Sequence, residues 1–163
     1  MPRSLTTLWR TLLLCSLAYW LGGTLFYITI VIHTAHDVLG SQHEFGFVTR
    51  EVTRQLNLVG VAALALLLLN MLPALRRRTP RSRGVLLLST WLAMAALHAG
   101  LFLLHPRIDR HLDPAAHRVT DRRSFKSVHN AYMLVTTLQI AAGIAHYAAL
   151  VGAWSRKPND LDR

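Results

Sequence analysis

Histidine is the residue type most able to do chemistry in this chain, and its placement is uneven. Of nine histidines in 163 residues, His33, His36, His43, His105, His111, His117 and His129 fall at or between the ends of apolar runs. His98 and His146 lie inside them. Imidazole binds zinc, copper, iron and nickel, and carboxylates complete such shells. Two imidazoles from different helices at equal depth also suit the axial positions of a haem. The spacing His33-x-x-His36 points both rings to one side of a helical turn. The candidate ligands of a cofactor are therefore His33, His105 and His129, with His36 and Asp37 added for a metal. The group would be copper, zinc, iron or haem b. Met94 is a soft ligand for copper, but lies too deep to share a site with His105.

The elements that must position these residues are read from hydropathy. Four apolar runs, about residues 9–32, 58–75, 85–104 and 131–154, approach the ~20 residues that cross a bilayer. They do not alternate, and backbone groups in lipid must pair within their own segment, so each is a helix. The first run is too long for the core of a cleavable signal peptide. With 52% apolar and 16% charged residues, against about 25% charged in ordinary soluble domains, the chain reads as an all-α, four-span membrane bundle occupying residues 1–163, with 155–163 a solvated tail. Disorder is excluded, and a disulfide scaffold too, because Cys15 is the single cysteine.

The formal charge of +10 would suggest nucleic acid in a soluble protein. Here the basic residues sit in blocks between spans. One side carries Arg3, Arg10, the cluster Arg76, Arg77, Arg78, Arg81 and Arg83, and the tail Arg156, Lys157 and Arg163. The other carries Arg50, Arg54, Arg107, Arg110, Arg118, Arg122, Arg123 and Lys126. The short arginine-rich second loop puts both termini in the cytoplasm, in a bacterial-type inner membrane. The partners read from this are a lipid bilayer and a homo-oligomer or membrane-protein partner; nucleic acid is not among them.

Four spans also place the seven terminal and loop histidines on one membrane face, with Asp37, Glu44, Glu51, Asp109, Asp113 and Asp121. Helical spacing aligns Tyr19, Gly22, Phe26, Thr29 and His33 on the first helix, and Trp91, Met94, His98, Leu101 and His105 on the third. On the fourth it aligns His129, Tyr132, Thr136, Gln139, Gly143, His146 and Tyr147. Polar stripes in lipid face a bundle interior, so the three are expected to converge. Ser41-Gln42-His43-Glu44 fits a capping box opening an amphipathic extension through Phe45, Val48, Val52 and Leu56. Asp113-Pro114 fits the start of a short outer helix. More ordinary roles compete at each position: histidines at an interface hydrogen-bond to headgroups, Trp9 and Trp154 fit an aromatic belt, and Asn70 and Gln139 bond between helices.

No His-Glu-x-x-His, Gly-x-Ser-x-Gly, phosphate-binding glycine loop or Cys-x-x-Cys-His is present, which leaves the chain on the non-enzymatic side. Three functions fit: metal handling or electron transfer through a metal or haem, a small transporter using the stripe from His129 to His146, and a structural or assembly partner in a membrane complex.

Leu21-Gly22-Gly23-Thr24-Leu25-Phe26, Leu104-His105-Pro106-Arg107-Ile108 and Phe125-Lys126-Ser127-Val128-His129-Asn130 resemble the transmembrane protein 205-like domain, over about residues 10–154. The resemblance implies a four-helix integral membrane protein. More distantly, Gly23 to Tyr27 followed by Val31-Ile32-His33 resembles the copper-resistance protein D-like superfamily, which includes a haem-binding protoporphyrinogen oxidase; that resemblance implies His33 as a ligand.

Overall fold

The computed structural model describes residues 2–39, 42–76, 81–113, 118–119 and 121–155. Helix α1 (Arg3–Phe26) passes through a π-helical turn (Tyr27–Val31) into α2 (Ile32–Leu39) without a break. Then come α3 (Gln42–Arg76), α4 (Arg81–Asp109) and α5 (Arg122–Ser155). Between α4 and α5, Leu112–Asp113 and Arg118–Val119 form a two-residue antiparallel ladder. Four helices are long and apolar enough to cross a membrane, and the chain is an all-α membrane protein.

Each apolar run lies within one unbroken helical stretch, the first running through α1 and the π-turn to the start of α2, but the helices outrun the runs. At ~1.5 Å per residue, 34 residues of α5 extend about 50 Å, against about 30 Å of hydrocarbon. The excess of α5 is mostly at its start, Arg122 to Asn130, where the histidine-rich end of the bundle stands. At the opposite end the Arg10 guanidinium lies 5.1 Å from the Trp154 ring centre, and Trp9 Nε1 donates to Asn70 Oδ1 at 3.0 Å. The beginning of α1 and the ends of α3 and α5 therefore share one side. Asn70 bonds between helices, as its sequence position suggests.

Packing rather than hydrophobic drive must hold helices together in lipid. The buried seam runs through Leu13, Leu17, Trp20 and Leu21 of α1, Ala63, Leu64 and Leu67 of α3, Met94 of α4 and Leu150 of α5. Two glycines allow the close crossings. A Cβ on Gly60 of α3 would meet the His98 and Trp20 rings, and one on Gly143 of α5 would lie 2.7 Å from Leu21 Cδ2.

This seam corrects one expectation. The α1 stripe of Tyr19, Gly22, Phe26, Thr29 and His33 is exposed, with Tyr19 71% accessible. The opposite face, Leu13, Leu17, Trp20 and Leu21, is buried. Large apolar side chains that interlock across the seam outweigh a sparse polar pattern. The π-turn then shifts the register, since it adds a residue to the turn, and Tyr27 is turned inwards so that its hydroxyl donates to the Thr49 carbonyl at 3.3 Å. The middles of the stripes on α4 and α5 do face inwards: Met94, His98 and Leu101, and Tyr132, Thr136, Gln139, Gly143 and His146, are all buried, whereas His129 and Tyr147 at the two ends of the α5 stripe are exposed.

The loops differ in detail. Asp113 sits in the two-residue ladder rather than opening a helix. Asp121 caps α5 instead: its Oδ1 accepts from the Arg123 and Ser124 amides at 3.0 and 3.1 Å. The Ser124 side-chain hydrogen bond, followed by these amides, holds its carboxyl below the ordinary aspartate range. Ser41, Pro114 and His117 lie outside the described residues, as do the side chains of His43 and Glu44, and with them the capping box.

Candidate functional site

The end of α1, the π-turn, α2, α3, α4 and α5 line a cavity of about 360 Å³ at the histidine-rich end. On α5 its wall runs from Phe125 to Gln139, about 20 Å of helix at ~1.5 Å per residue. Its composition changes with depth. At the mouth stand His36, Arg50, His105, Asp109 and His129; the middle is apolar, with Ile28, Ile32, Leu56, Leu101 and Met133 among its lining; Trp20, Asn57, Thr136 and Gln139 close the deep end.

The deep end is a hydrogen-bonded network from three helices. His98 of α4 is 4% exposed. Its Nε2 donates to the Asn57 carbonyl of α3 at 2.9 Å, and its Nδ1 accepts from Gln139 Nε2 of α5 at 2.7 Å. A carbonyl accepts only, so the ring carries its proton on Nε2 and is neutral. Trp20 and Phe102 meet the ring edge-to-face at 5.3 and 5.4 Å. The Asn57 side chain reaches Tyr132: Nδ2 donates to the hydroxyl at 3.3 Å, and the hydroxyl donates towards Oδ1 at 3.4 Å. Both contacts are long, so Asn57 and Tyr132 retain capacity for a stronger partner.

The mouth carries the charge. Arg50 Nε lies 3.1 Å from Asp109 Oδ2, and His105 Nε2 lies 4.0 Å from the same oxygen. Asp109 Oδ1 is buried without a hydrogen-bond partner among the described residues. The His129 ring stacks on Phe125 at 5.8 Å, 9° from parallel. His36 Nδ1 lies 3.6 Å from Asp37 Oδ1.

Of the ligands read from sequence, His36, His105 and His129 line one cavity. His33 is exposed and Asp37 lies beside His36 on the outer surface; neither lines the cavity. Among the described residues no group of three or more His, Cys, Asp or Glu is placed to hold a metal ion. His98 and His146 do not continue the site as an open path. Below Gln139, Leu21 fills the groove over Gly143, and His146, 1% exposed, is paired through Nδ1 with Thr90 Oγ1 at 2.8 Å.

Asn57, Trp20, Tyr27 and Arg50 are the site residues that sequence reasoning missed. Asn57 carried a signal, a lone amide at the edge of an apolar run. Trp20 and Tyr27 carried none that separates a cavity wall from a lipid-facing aromatic.

Neither a curated protein nor a solved structure matches the chain. A protein-family profile, described as Domain of unknown function (DUF4149), matches residues 15–117. The matched region holds Trp20, Tyr27, Arg50, Asn57, His98, His105 and Asp109, most of the cavity but not its α5 wall. Matching more than half of the chain, from within α1 to beyond α4, the profile shows that this protein belongs to the DUF4149 family.

Proposed function

We propose that this chain is a membrane protein that binds one amphiphilic small molecule in the cavity at the histidine-rich end of the bundle. The observation that carries the reading is the change of lining with depth: apolar walls between a neutral hydrogen-bonding floor and a charged mouth. Small-molecule sites have this composition, an apolar enclosure with a few fixed polar groups. The test is to purify the protein in mild detergent, denature it, and identify by mass spectrometry what is released. A stoichiometric amphiphile, lost in a Leu101→Trp variant that fills the cavity, supports the reading. Release of nothing but bulk lipid and detergent from both proteins overturns it.

A second reading is haem b. Imidazoles from α2, α4 and α5 line the same cavity, and haem needs two axial donors where structural zinc needs four. His105 and His129 are the donors proposed to hold it, with His36 next; a haem there would supply one-electron chemistry. His33, Asp37 and a copper, zinc or iron site fit less well, since no three-ligand group is assembled among the described residues. A Soret band in the same preparation, absent from His129→Ala, decides for haem. The resemblance to the transmembrane protein 205-like domain agrees with the bundle and adds no ligand. The arginines clustered at positions 76–83 support a placement in a bacterial-type inner membrane with both termini in the cytoplasm.

A further inference from the structure

We propose that the amphiphile is a quinone- or phenol-headed isoprenoid, bound with its ring at the deep end of the cavity and its tail leaving sideways into the lipid. The inference rests on the amphiphile reading above and adds the ligand class. Three observations carry it.

The deep end offers hydrogen bonds and no charge. The groups there are the Asn57 amide, the Tyr132 hydroxyl and the free half of the Gln139 amide, whose other half is committed to His98. A phosphate or carboxylate would find no arginine or lysine there, because Arg50 is paired with Asp109 at the mouth; the imidazole beside this end is His105, whose ring centre lies 6.3 Å from that of Tyr132. A carbonyl or hydroxyl on a neutral ring matches instead. It would take the Asn57 N–H and the Tyr132 O–H, which now make only 3.3 and 3.4 Å contacts with each other.

The walls are aromatic from floor to mouth. Trp20 lines the deep end and Tyr27 and Tyr132 the wall above it, and flat rings gain from offset and edge-to-face contact with such side chains. Trp20 is held in place, with His98 against it and Gly60 leaving room for both, so this wall is formed before any ligand arrives.

The flank of the cavity is open to lipid. α2 packs on α3, with no extended packing on α5. Ile28 and Ile32 rim the gap on one side, Phe125 and Met133 on the other. An isoprenoid tail can pass between them along the Phe125–His129 stack.

The experiment is equilibrium binding of a tritiated benzoquinone carrying two isoprene units to the detergent-purified protein, with quenching of tryptophan fluorescence as the report of location. The expected result is saturable binding with saturable quenching. Affinity should fall about tenfold in Tyr132→Phe, which removes one oxygen, and at least as far in Asn57→Leu. Helicity and monodisperse elution establish that both variants are folded, and Tyr132→Phe keeps the test decisive if Asn57→Leu fails that check. A brominated dodecyl detergent run in parallel separates the two readings. If it quenches saturably and the quinone does not displace it, the ligand class is wrong and the amphiphile site stands. If neither ligand shows a saturable component, both readings fall. Quinone binding undiminished in Tyr132→Phe also overturns the assignment of its ring to the deep end.

Discussion

Nε2 of His98 donates to the main-chain carbonyl of Asn57 at 2.9 Å, which fixes one histidine tautomer inside a membrane bundle and ties α4 to α3 beneath the cavity. Gln139 closes the other ring nitrogen. A histidine inside an apolar run is thus fully engaged as a structural cross-link.

That engagement predicts the effect of removing it. His98→Ala opens a hole beside Trp20, leaves Gln139 Nε2 without its partner and leaves the Asn57 carbonyl with its helix hydrogen bond alone. The expected loss is about 2–4 kcal/mol, most of it from the cavity and the rest from hydrogen bonds that average ~0.6 kcal/mol each in membrane bundles. Gln139→Leu should cost about 1 kcal/mol or less. Reversible unfolding in mixed micelles measures both. A His98→Ala loss no larger than that of Gln139→Leu would show that the ring is not packed as described.

The glycines separate by what surrounds them. Gly60→Ala drives a methyl into Trp20 and His98 and should destabilise by about 1–3 kcal/mol, the usual range for overpacking. Gly152→Ala meets nothing within 4 Å and should be neutral or stabilising by up to ~1 kcal/mol, through helix propensity. Thermal melting of the two variants side by side tests the contrast, and the reverse order of melting temperatures would refute it.

The mouth should govern access more than stability. Arg50→Ala breaks an ion pair whose side chains are 45% and 22% exposed, so solvent screening limits the loss to about 1 kcal/mol or less. The association rate of the cavity ligand is expected to change by more than the melting temperature does. Stopped-flow quenching measures the rate.

Asp121 gives a pH dependence outside the membrane. Its carboxyl accepts a hydrogen bond from the Ser124 side chain and from the first-turn amides of α5, which lowers its pKa. A depressed acid stabilises the folded helix end above the ordinary aspartate range, and that contribution fades as pH falls through the lowered folded value. Carbon-detected NMR should find the Asp121 midpoint below that of an unstructured aspartate. Protection of the Arg123 and Ser124 amides should weaken across the same pH interval, and Asp121→Ala should abolish the dependence.

Cross-linking tests the placement of the ends. Arg10 and Trp154 are adjacent, so cysteines at positions 10 and 154, in a Cys15→Ser background, should label from the same side of the membrane. A cysteine at Ser127 should label from the other.

The sequence by itself determined the four helices, their crossing of a membrane, and the gathering of histidines at one end. These follow from run length and composition, because lipid tolerates few ways to satisfy a backbone. It also identified the inward faces of α4 and α5, where buried polar residues recur at helical spacing. The face of α1 was decided by the tertiary structure alone: Leu13, Leu17 and Trp20 interlock with α3, and the π-turn shifts the register before His33, which is left on the outside. The roles of Asn57, Tyr132 and Gln139 were settled the same way. An amide or hydroxyl in an apolar run is a polar group in search of a partner, and which partner it finds depends on how far each helix is rotated and where it crosses its neighbours, quantities that spacing along one helix does not contain.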